Sequence, residues 1–405
     1  MAARHPGGAF AFLEAAPLAE ATISVGVLFS RSGPYAALGR EGLNGAMTAI
    51  AEINERGGVQ LVAEIRDPQG STESYAALAR ELVTTGGVRH IVGCTTSWSR
   101  KEVIPVLEKS GALLWYPCPY EGFECNEQVI YLGACPNQHV LPLLAHILPR
   151  FGGEGYLVGS NYIWGWETSR IARDIIEHSA GTVLGERYVP LGDTDIARII
   201  AEIRVKRPDF VLNTLIGPSS YAFLRAYHEL GQRDADFAAE LRPVLSCNLA
   251  ESEAAELGEA IRGHYVIAPY FQSLDSAENR RFLAVARRLN SASPDVSAFF
   301  AQAYSAVHML AGAMALAGTD APEAVHAAAL SSLYASPFGP VQIDAATNHA
   351  VLTPRIGRAN GAGGFDIVSE IEMPIAPDPY LAHSQLAVRG APEGSDRVGH
   401  LRVVK

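Results

Sequence analysis

An α/β protein of two doubly wound parallel-sheet lobes, joined by a multi-crossover hinge, is the fold this sequence predicts. Three observations predict it. Short β-branched apolar runs alternate with longer stretches of helical period from about residue 22 to 315, the signature of parallel strands with covering helices. The rhythm restarts after Pro136-Asn-Gln138. The chain's 405 residues exceed one compact core and suit two lobes of ordinary size.

The elements justify themselves in order. Thr22-Ile-Ser-Val-Gly-Val-Leu-Phe29 reads as a strand, and Ser32-Gly-Pro34 as the turn after it. Gly39 to Arg56 carries Leu43, Ala46, Met47, Ile50 and Ile53 at helical spacing and ends at Gly57-Gly58. Strands at Leu61–Asp67, Val88–Cys94 and Ala112–Tyr116 alternate with helices at Thr72–Val83 and Lys101–Lys109. In the second half, helices at His139–Phe151 and Glu167–Ala180 flank a strand at Gly155–Gly159. Further strands fall at Thr182–Val189, Asp209–Thr214, Val244–Cys247 and Val266–Phe271, the last entering helices at Ala277–Leu289 and Ala298–Leu316. Phe338–Asp344, Val351–Ile356 and Phe365–Val368 read as short antiparallel strands. The expected division is 20–136 plus 270–335 for the N-terminal lobe, 137–269 plus 336–380 for the C-terminal lobe, and 381–405 as a wrapping tail.

Composition removes several function classes. A hydrophobic content of 48% with 19% charged residues is a globular balance, not a disordered one. The net charge of −11 argues against direct nucleic-acid contact, which needs a basic face. No stretch of the sequence reads as a membrane span. Five cysteines at irregular spacing, Cys94, Cys118, Cys125, Cys135 and Cys247, fit neither a disulfide framework nor a zinc site. The stretch from Met1 to Ala21 is broken by Glu14, Pro17 and Glu20 and makes a poor secretory signal, so a cytoplasmic location is expected. Leu18-Ala-Glu-Ala21 as a cleavage site, and with it a periplasmic location, is the alternative.

In open α/β sheets ligands sit beyond the carboxyl ends of the strands, at switch points. That rule selects Ser30–Tyr35, Thr95–Ser99 and Pro117–Tyr120 in the first lobe, and Ser160–Trp164, Leu215–Ser220 and Asn248–Glu251 in the second. Thr96 and Ser97 precede a helix and can present hydroxyls to a carbonyl oxygen, or simply cap that helix. Tyr116, Tyr162 and Trp164 can wall a small pocket, or pack as ordinary core aromatics. Glu251 is an acid placed to receive an NH2 group, or the cap of its own helix.

Catalysis has little footing. The Gly-x-Ser-x-Gly elbow is absent, and Gly217-Pro-Ser219 is followed by Tyr221 where the second glycine should stand. Cys94 and Cys118, with Lys101 or Glu121 nearby, offer nucleophiles without an activating base at a recognisable spacing. Gly33 to Gly42 lacks the ending of a phosphate loop, and the histidines form no metal motif. No cofactor, no metal and no enzymatic activity are expected.

A family resemblance sharpens this. Val88-Arg-His-Ile-Val-Gly-Cys-Thr-Thr-Ser97, Arg100-Lys-Glu-Val-Ile-Pro105 and Ala112-Leu-Leu-Trp-Tyr-Pro-Cys-Pro-Tyr-Glu-Gly-Phe-Glu124 resemble the amide-sensing negative regulators of aliphatic amidase operons. Further matches run from Gly159-Ser-Asn-Tyr-Ile163 to Pro377-Asp-Pro-Tyr380, so the resemblance spans about residues 22 to 381. It implies the type I periplasmic-binding-protein fold of the branched-chain amino acid receptors, used in the cytoplasm to sense short amides such as acetamide. It implies an RNA-binding antitermination regulator as protein partner, while this chain itself touches no nucleic acid and no membrane. By the same resemblance Ser97, Tyr116, Cys118, Tyr162 and Trp164 line the amide site. Two of them depart from the family, which has Thr at Cys118 and Tyr at Trp164. The Tyr-Pro-x-Pro-Tyr-Glu-Gly-Phe-Glu stretch is shared with exported urea- and amide-binding receptors. The alternative is therefore a solute-binding receptor of an ABC transporter for urea, short amides or branched-chain amino acids. A third reading is an amide hydrolase dependent on Cys94 or Cys118. The oligomeric state is left open, a homo-oligomer included.

Overall fold

The computed structural model describes residues 22–290 and 295–388. The candidate cleavage site before Ala21 and the tail beyond Val388 lie outside those residues.

The first lobe begins β1 (Thr22–Leu28), α1 (Ala36–Arg56), β2 (Gln60–Arg66), α2 (Thr72–Thr84), β3 (His90–Gly93), α3 (Ser97–Ser110), β4 (Leu113–Tyr116) and β5 (Val129–Tyr131). A single 3-10 turn, Pro136–Gln138, leads into the second lobe. There follow α4 (Val140–Phe151), β6 (Glu154–Ser160), α5 (Ile163–His178), β7 (Thr182–Val189), α6 (Ala197–Lys206) and β8 (Phe210–Thr214). That lobe continues with α7 (Pro218–Arg233), β9 (Val244–Ser246), α8 (Glu251–Leu257) and β10 (Tyr265–Ala268). The chain then returns to the first lobe through α9 (Ala277–Leu289), α10 (Ala298–Ala317), α11 (Pro322–Ser331), β11 (Leu333–Ser336), β12 (Gly339–Asp344) and β13 (His349–Val351). It ends in the second with β14 (Arg355–Ala359) and β15 (Phe365–Glu370).

The two sheets repeat one topology. The first runs β2-β1-β3-β4-β5 and the second β7-β6-β8-β9-β10, all parallel within those runs. Each order reverses once, at β1/β3 and at β6/β8, so each sheet has a crevice beyond its carboxyl edge. Burial on both faces explains why these strands are continuous apolar runs such as Val25-Gly-Val-Leu-Phe29 and Phe210-Val-Leu212. Antiparallel strands close the outer edges: β13-β12-β11 beside β5, and β14-β15 beside β10.

That arrangement corrects the expected division. The segment from 336 to 351 belongs to the first sheet, because β13 pairs in parallel with β5 through His349 and Tyr131. Val351–Ile356, read as one strand, is two strands in different lobes with a crossover between them. Pro354 stands there, unable to donate to a ladder. A second correction concerns α10. Its 20 residues are long and apolar enough to cross a membrane, but the helix is buried in the first lobe, where it packs against α1 and α11.

Three crossovers, at 132–139, 269–276 and 352–354, make the hinge. Side chains sew them together. Gln138 Nε2 donates to the carbonyls of Ala350 and Ile375, both at 2.9 Å. Arg355 Nη1 donates to the carbonyls of Pro269 at 2.6 Å and Phe338 at 3.1 Å. Residues beyond β15 add a strap: Asn137 donates to the Ala376 carbonyl, and the Val388 amide donates to Ser179 Oγ in the second lobe.

Glu251 belongs to this hinge. Its Oε1 accepts the Gln272 amide at 2.8 Å, just beyond β10. Glu41 on α1 and Asp295 face it with like charge across the lobe boundary, and Glu41 itself accepts from Ser297 Oγ at 2.8 Å. Burial, with those like charges, pushes the Glu251 carboxyl up to about 8, while the Gln272 amide and its own backbone N–H pull the other way. The raised value means the folded protein keeps a proton that the unfolded chain releases near the ordinary carboxyl value of 4.5. Stability from this group is therefore full below that value and is lost as pH rises through about 8. Glu251→Gln keeps the acceptor but not the charge. Thermal melts from pH 5 to 8.5 should show a smaller loss of stability in the variant, by on the order of 2–4 kcal/mol. Parallel pH profiles for both proteins would contradict this placement of the proton.

Candidate functional site

The carboxyl edges of the two sheets face each other, and the loops leaving them meet in a small closed cleft. Thr95, Thr96 and Ser97 come from the end of β3, Cys118 and Pro119 from the end of β4. Tyr162 and Trp164 follow β6, Ile216 follows β8, and Asn248 follows β9. Leu38 of α1 and Phe299 of α10 complete the lining. No charged side chain is among them. The space that a water-sized centre can occupy is about 20 Å3, room for about one water.

Local sequence dictates the first wall. Gly93 adopts φ +157 where a Cβ would meet the Leu28 carbonyl carbon and oxygen, and Cys94 turns left-handed at φ +65, so the chain leaves β3 sharply. Thr96 then caps α3: its Oγ1 accepts the Ser99 amide at 3.2 Å, and Ser99 Oγ accepts the Thr96 amide at 3.1 Å. The capping reading of Thr96 is thus realised, and its hydroxyl also donates to Ser99 Oγ at 3.1 Å. Ser97, at the first helical position, donates to Glu121 Oε2. Cys118 donates its thiol proton to the Cys94 carbonyl at 3.4 Å.

The second wall is aromatic. Tyr162 precedes α5, stacks on Trp98 of the first lobe at 6.3 Å between ring centroids, and meets Tyr35 edge-on at 6.4 Å. Trp164 leans on His139 at 5.5 Å, and its buried Nε1 has no hydrogen-bond partner among the described residues. Asn248 is oriented by donating to the Leu215 carbonyl at 3.2 Å and accepting from Ser246 Oγ at 3.1 Å. Outside the cleft the lobes touch again where Arg170 of α5 lies 4.8 Å over the Phe123 ring.

Of the residues expected here, Thr96, Ser97, Cys118, Tyr162 and Trp164 converge on the cleft. Two do not line it. Glu251 sits at the hinge on the Gln272 amide. Tyr116 is fully buried behind the wall, edge-on to Tyr120 and Tyr131 at 6.5 Å each, with no hydrogen-bond partner for its hydroxyl among the described residues. It belongs to a charged network that sequence reasoning missed. Arg100 is fully buried, its guanidinium 4.6 Å from the Tyr116 ring and 4.4 Å from the Tyr120 ring. Its Nε donates to Glu124 Oε1 at 2.6 Å, and its Nη2 stands 3.6 Å from Glu121 Oε1. Glu124, held well down at about 2 by Arg100 and Lys101 against the cost of burial, also binds Lys101 at 2.7 Å and Tyr131 Oη at 2.8 Å. The signal was in the sequence: three tyrosines and two glutamates stand close to Arg100, which entered the sequence reading only within the Arg100–Pro105 stretch. Phe299 carried none, since it starts a helix rather than ending a strand.

Nothing here is arranged to activate a nucleophile. Burial pushes the Cys94 thiol up to about 12 and the Cys118 thiol higher still, the reverse of what a reactive thiolate needs. Among the described residues, no three His, Cys, Asp or Glu side chains gather as a metal site requires.

Comparison with known proteins agrees with a binding cleft. A family model described as "Periplasmic binding protein domain" matches residues 23–386. A Leu/Ile/Val-binding protein homolog of Brucella abortus (strain 2308) is 26% identical over 334 residues, covering 81% of this chain and 85% of that protein. A solute-binding protein of an ABC transporter from R. palustris, solved with 4-hydroxybenzoate, superposes with a TM-score of 0.78 at 24% identity, covering 90% of this chain and 100% of that one. The branched-chain amino acid transporter substrate-binding protein of Streptococcus pneumoniae, solved with isoleucine, gives a TM-score of 0.74 at 20% identity over 87% of this chain and all (100%) of that one. By their names these relatives are ligand-binding proteins. The cytoplasmic location expected from the sequence does not stand: the matched family is one of periplasmic proteins, which indicates a periplasmic, exported chain. The chain belongs to the periplasmic binding protein family.

Proposed function

We propose that the protein is the solute receptor of an ABC transporter and closes around a small uncharged solute of the amide or urea class. One observation carries this reading: the cleft is lined by hydroxyls, a thiol, an amide and aromatic rings, with no charged side chain facing a water-sized space. A carboxylate or ammonium taken into such a cleft would leave an uncompensated buried charge. A neutral amide needs only a few hydrogen bonds and a snug apolar contact. The Tyr116-to-Glu124 stretch shared with amide- and urea-binding receptors supports the same class. The other implication of the resemblance, control of an RNA-binding antitermination regulator, rests on the shared motifs alone, and a periplasmic receptor does not meet such a partner.

A second reading has one observation in its favour. Next to the cleft, sharing Pro119, Asn248 and Phe299, lies a second chamber of about 20 Å3 with Cys247, Leu249 and Ile267 in its wall. Its apolar wall, together with the names of the relatives, matches the chemistry of a branched-chain amino acid's aliphatic side chain, although the chamber would have to widen to take one and the cleft would have to satisfy the two charges through backbone dipoles.

Calorimetric titration with acetamide, propionamide, urea, leucine and isoleucine separates the two. Saturable binding of an amide or urea without turnover is expected, and a bound solute must raise the melting temperature. Binding of leucine or isoleucine alone would replace this reading with the second. Closure itself is testable at Gly217. This residue has φ +58, and a Cβ there would lie 2.3 Å from the Pro34 carbonyl oxygen of the opposite lobe. Gly217→Ala should hold the lobes apart and weaken solute binding about tenfold or more, with circular dichroism unchanged. Unaltered affinity would show that the closed form does not bind the solute.

A further inference from the structure

The hydrogen bonds behind the cleft determine which end of a solute each wall accepts. A hydroxyl or thiol has one proton, and on the first-lobe wall three of these protons point away from the cleft. Thr96 donates to Ser99 Oγ at 3.1 Å, Cys118 to the Cys94 carbonyl at 3.4 Å, and Ser97 to Glu121. Thr95 is tied to Tyr75 Oη at 3.1 Å. What Thr96, Ser97 and Cys118 present inward is therefore lone pairs. Glu121 fixes the Ser97 proton, and Glu121 is in turn held by Arg100, whose Nη2 stands 3.6 Å from its other oxygen. The opposite wall has the reverse polarity. Trp164 is donor-only, and its Nε1 is buried without a partner among the described residues.

We infer that Glu121, through Ser97 and backed by Arg100, makes the first lobe an acceptor wall, so that the cleft selects solutes presenting N–H to Ser97 and a carbonyl oxygen to Trp164. This rests on the proposed amide or urea reading and sharpens it. Glu121 touches no solute in this account: it is a positioning residue, setting the direction of the Ser97 hydroxyl. A carboxylate would find no hydroxyl proton to accept from Thr96 or Ser97, whose protons are already given to Ser99 and Glu121. A ketone of the same shape would lose the bond to Ser97.

Acetamide, acetone and acetate form a nearly isosteric set that differs in this one group: NH2, CH3 and O−. Titration of the wild-type protein should give acetamide binding at least about tenfold tighter than acetone, the loss expected when a buried acceptor goes unpaired, and no acetate binding. In Glu121→Gln the side-chain amide can donate to Ser97 Oγ and turn its proton into the cleft. That variant should lose acetamide affinity about tenfold and gain measurable acetate binding. Ser97→Ala should lose acetamide affinity without gaining acetate, a contrast that general damage to the site would not produce. The wild-type comparison needs no variant, so the inference is testable even if Glu121→Gln destabilises the fold. Acetone binding as tightly as acetamide, or acetate binding to the wild type, would overturn the assigned polarity and leave the amide reading standing. If leucine binds and neither acetamide nor urea does, both fall together.

Discussion

A guanidinium with no access to solvent lies beneath the ligand cleft, and much of the site's geometry follows from keeping it there. An isolated buried charge costs several kcal/mol unless it is paired and hydrogen-bonded. Arg100 answers that cost with two carboxylates and two tyrosine faces, Tyr116 and Tyr120. All of these partners come from β4 or from the loop after it, so pairing the charge also folds residues 117–124 against the N-terminus of α3, with Nε the one guanidinium nitrogen that donates a hydrogen bond among the described residues. The same loop delivers Cys118 and Pro119 to the cleft, and Glu121 reaches past Arg100 to Ser97. Packing, electrostatics and the presentation of the site are one construction.

Around that fixed point the two lobes are free to be hinged rather than fused. Each lobe completes its own sheet, and three separate crossovers join them. Gln138 and Arg355 bind the crossovers to one another through backbone carbonyls. Among the described residues the lobes also meet outside the hinge through Trp98 stacked on Tyr162, Tyr35 edge-on to Tyr162 and Arg170 over Phe123. Contacts of that size suit an equilibrium that a small solute can shift by its preference for one state.

Much of this was legible in the sequence because parallel α/β folds announce themselves locally. Continuous apolar strands, amphipathic helices and glycine stops gave the element order, and the switch-point rule led to Thr96, Ser97, Cys118, Tyr162 and Trp164. What was not legible depends on pairing between distant residues. β5 is three residues long, too short to show a period, yet it is what recruits β13 and carries the segment around residue 340 into the first lobe. Glu251 had the chemistry of a ligand contact, but its carboxyl group is committed to a hinge amide that no local pattern reveals. Tyr116 faces Arg100 rather than the cleft. Arg100 drew no structural reading of its own, because burial of a charge is a property of its partners and not of its neighbours in sequence.

The claim on which the rest depends is that the lobes close over a small uncharged solute. Small-angle X-ray scattering with and without saturating acetamide or urea measures it directly. Closure predicts a smaller radius of gyration and a narrower distance distribution with the solute present. Unchanged scattering with both solutes, alongside contraction with leucine or benzoate, would contradict the account.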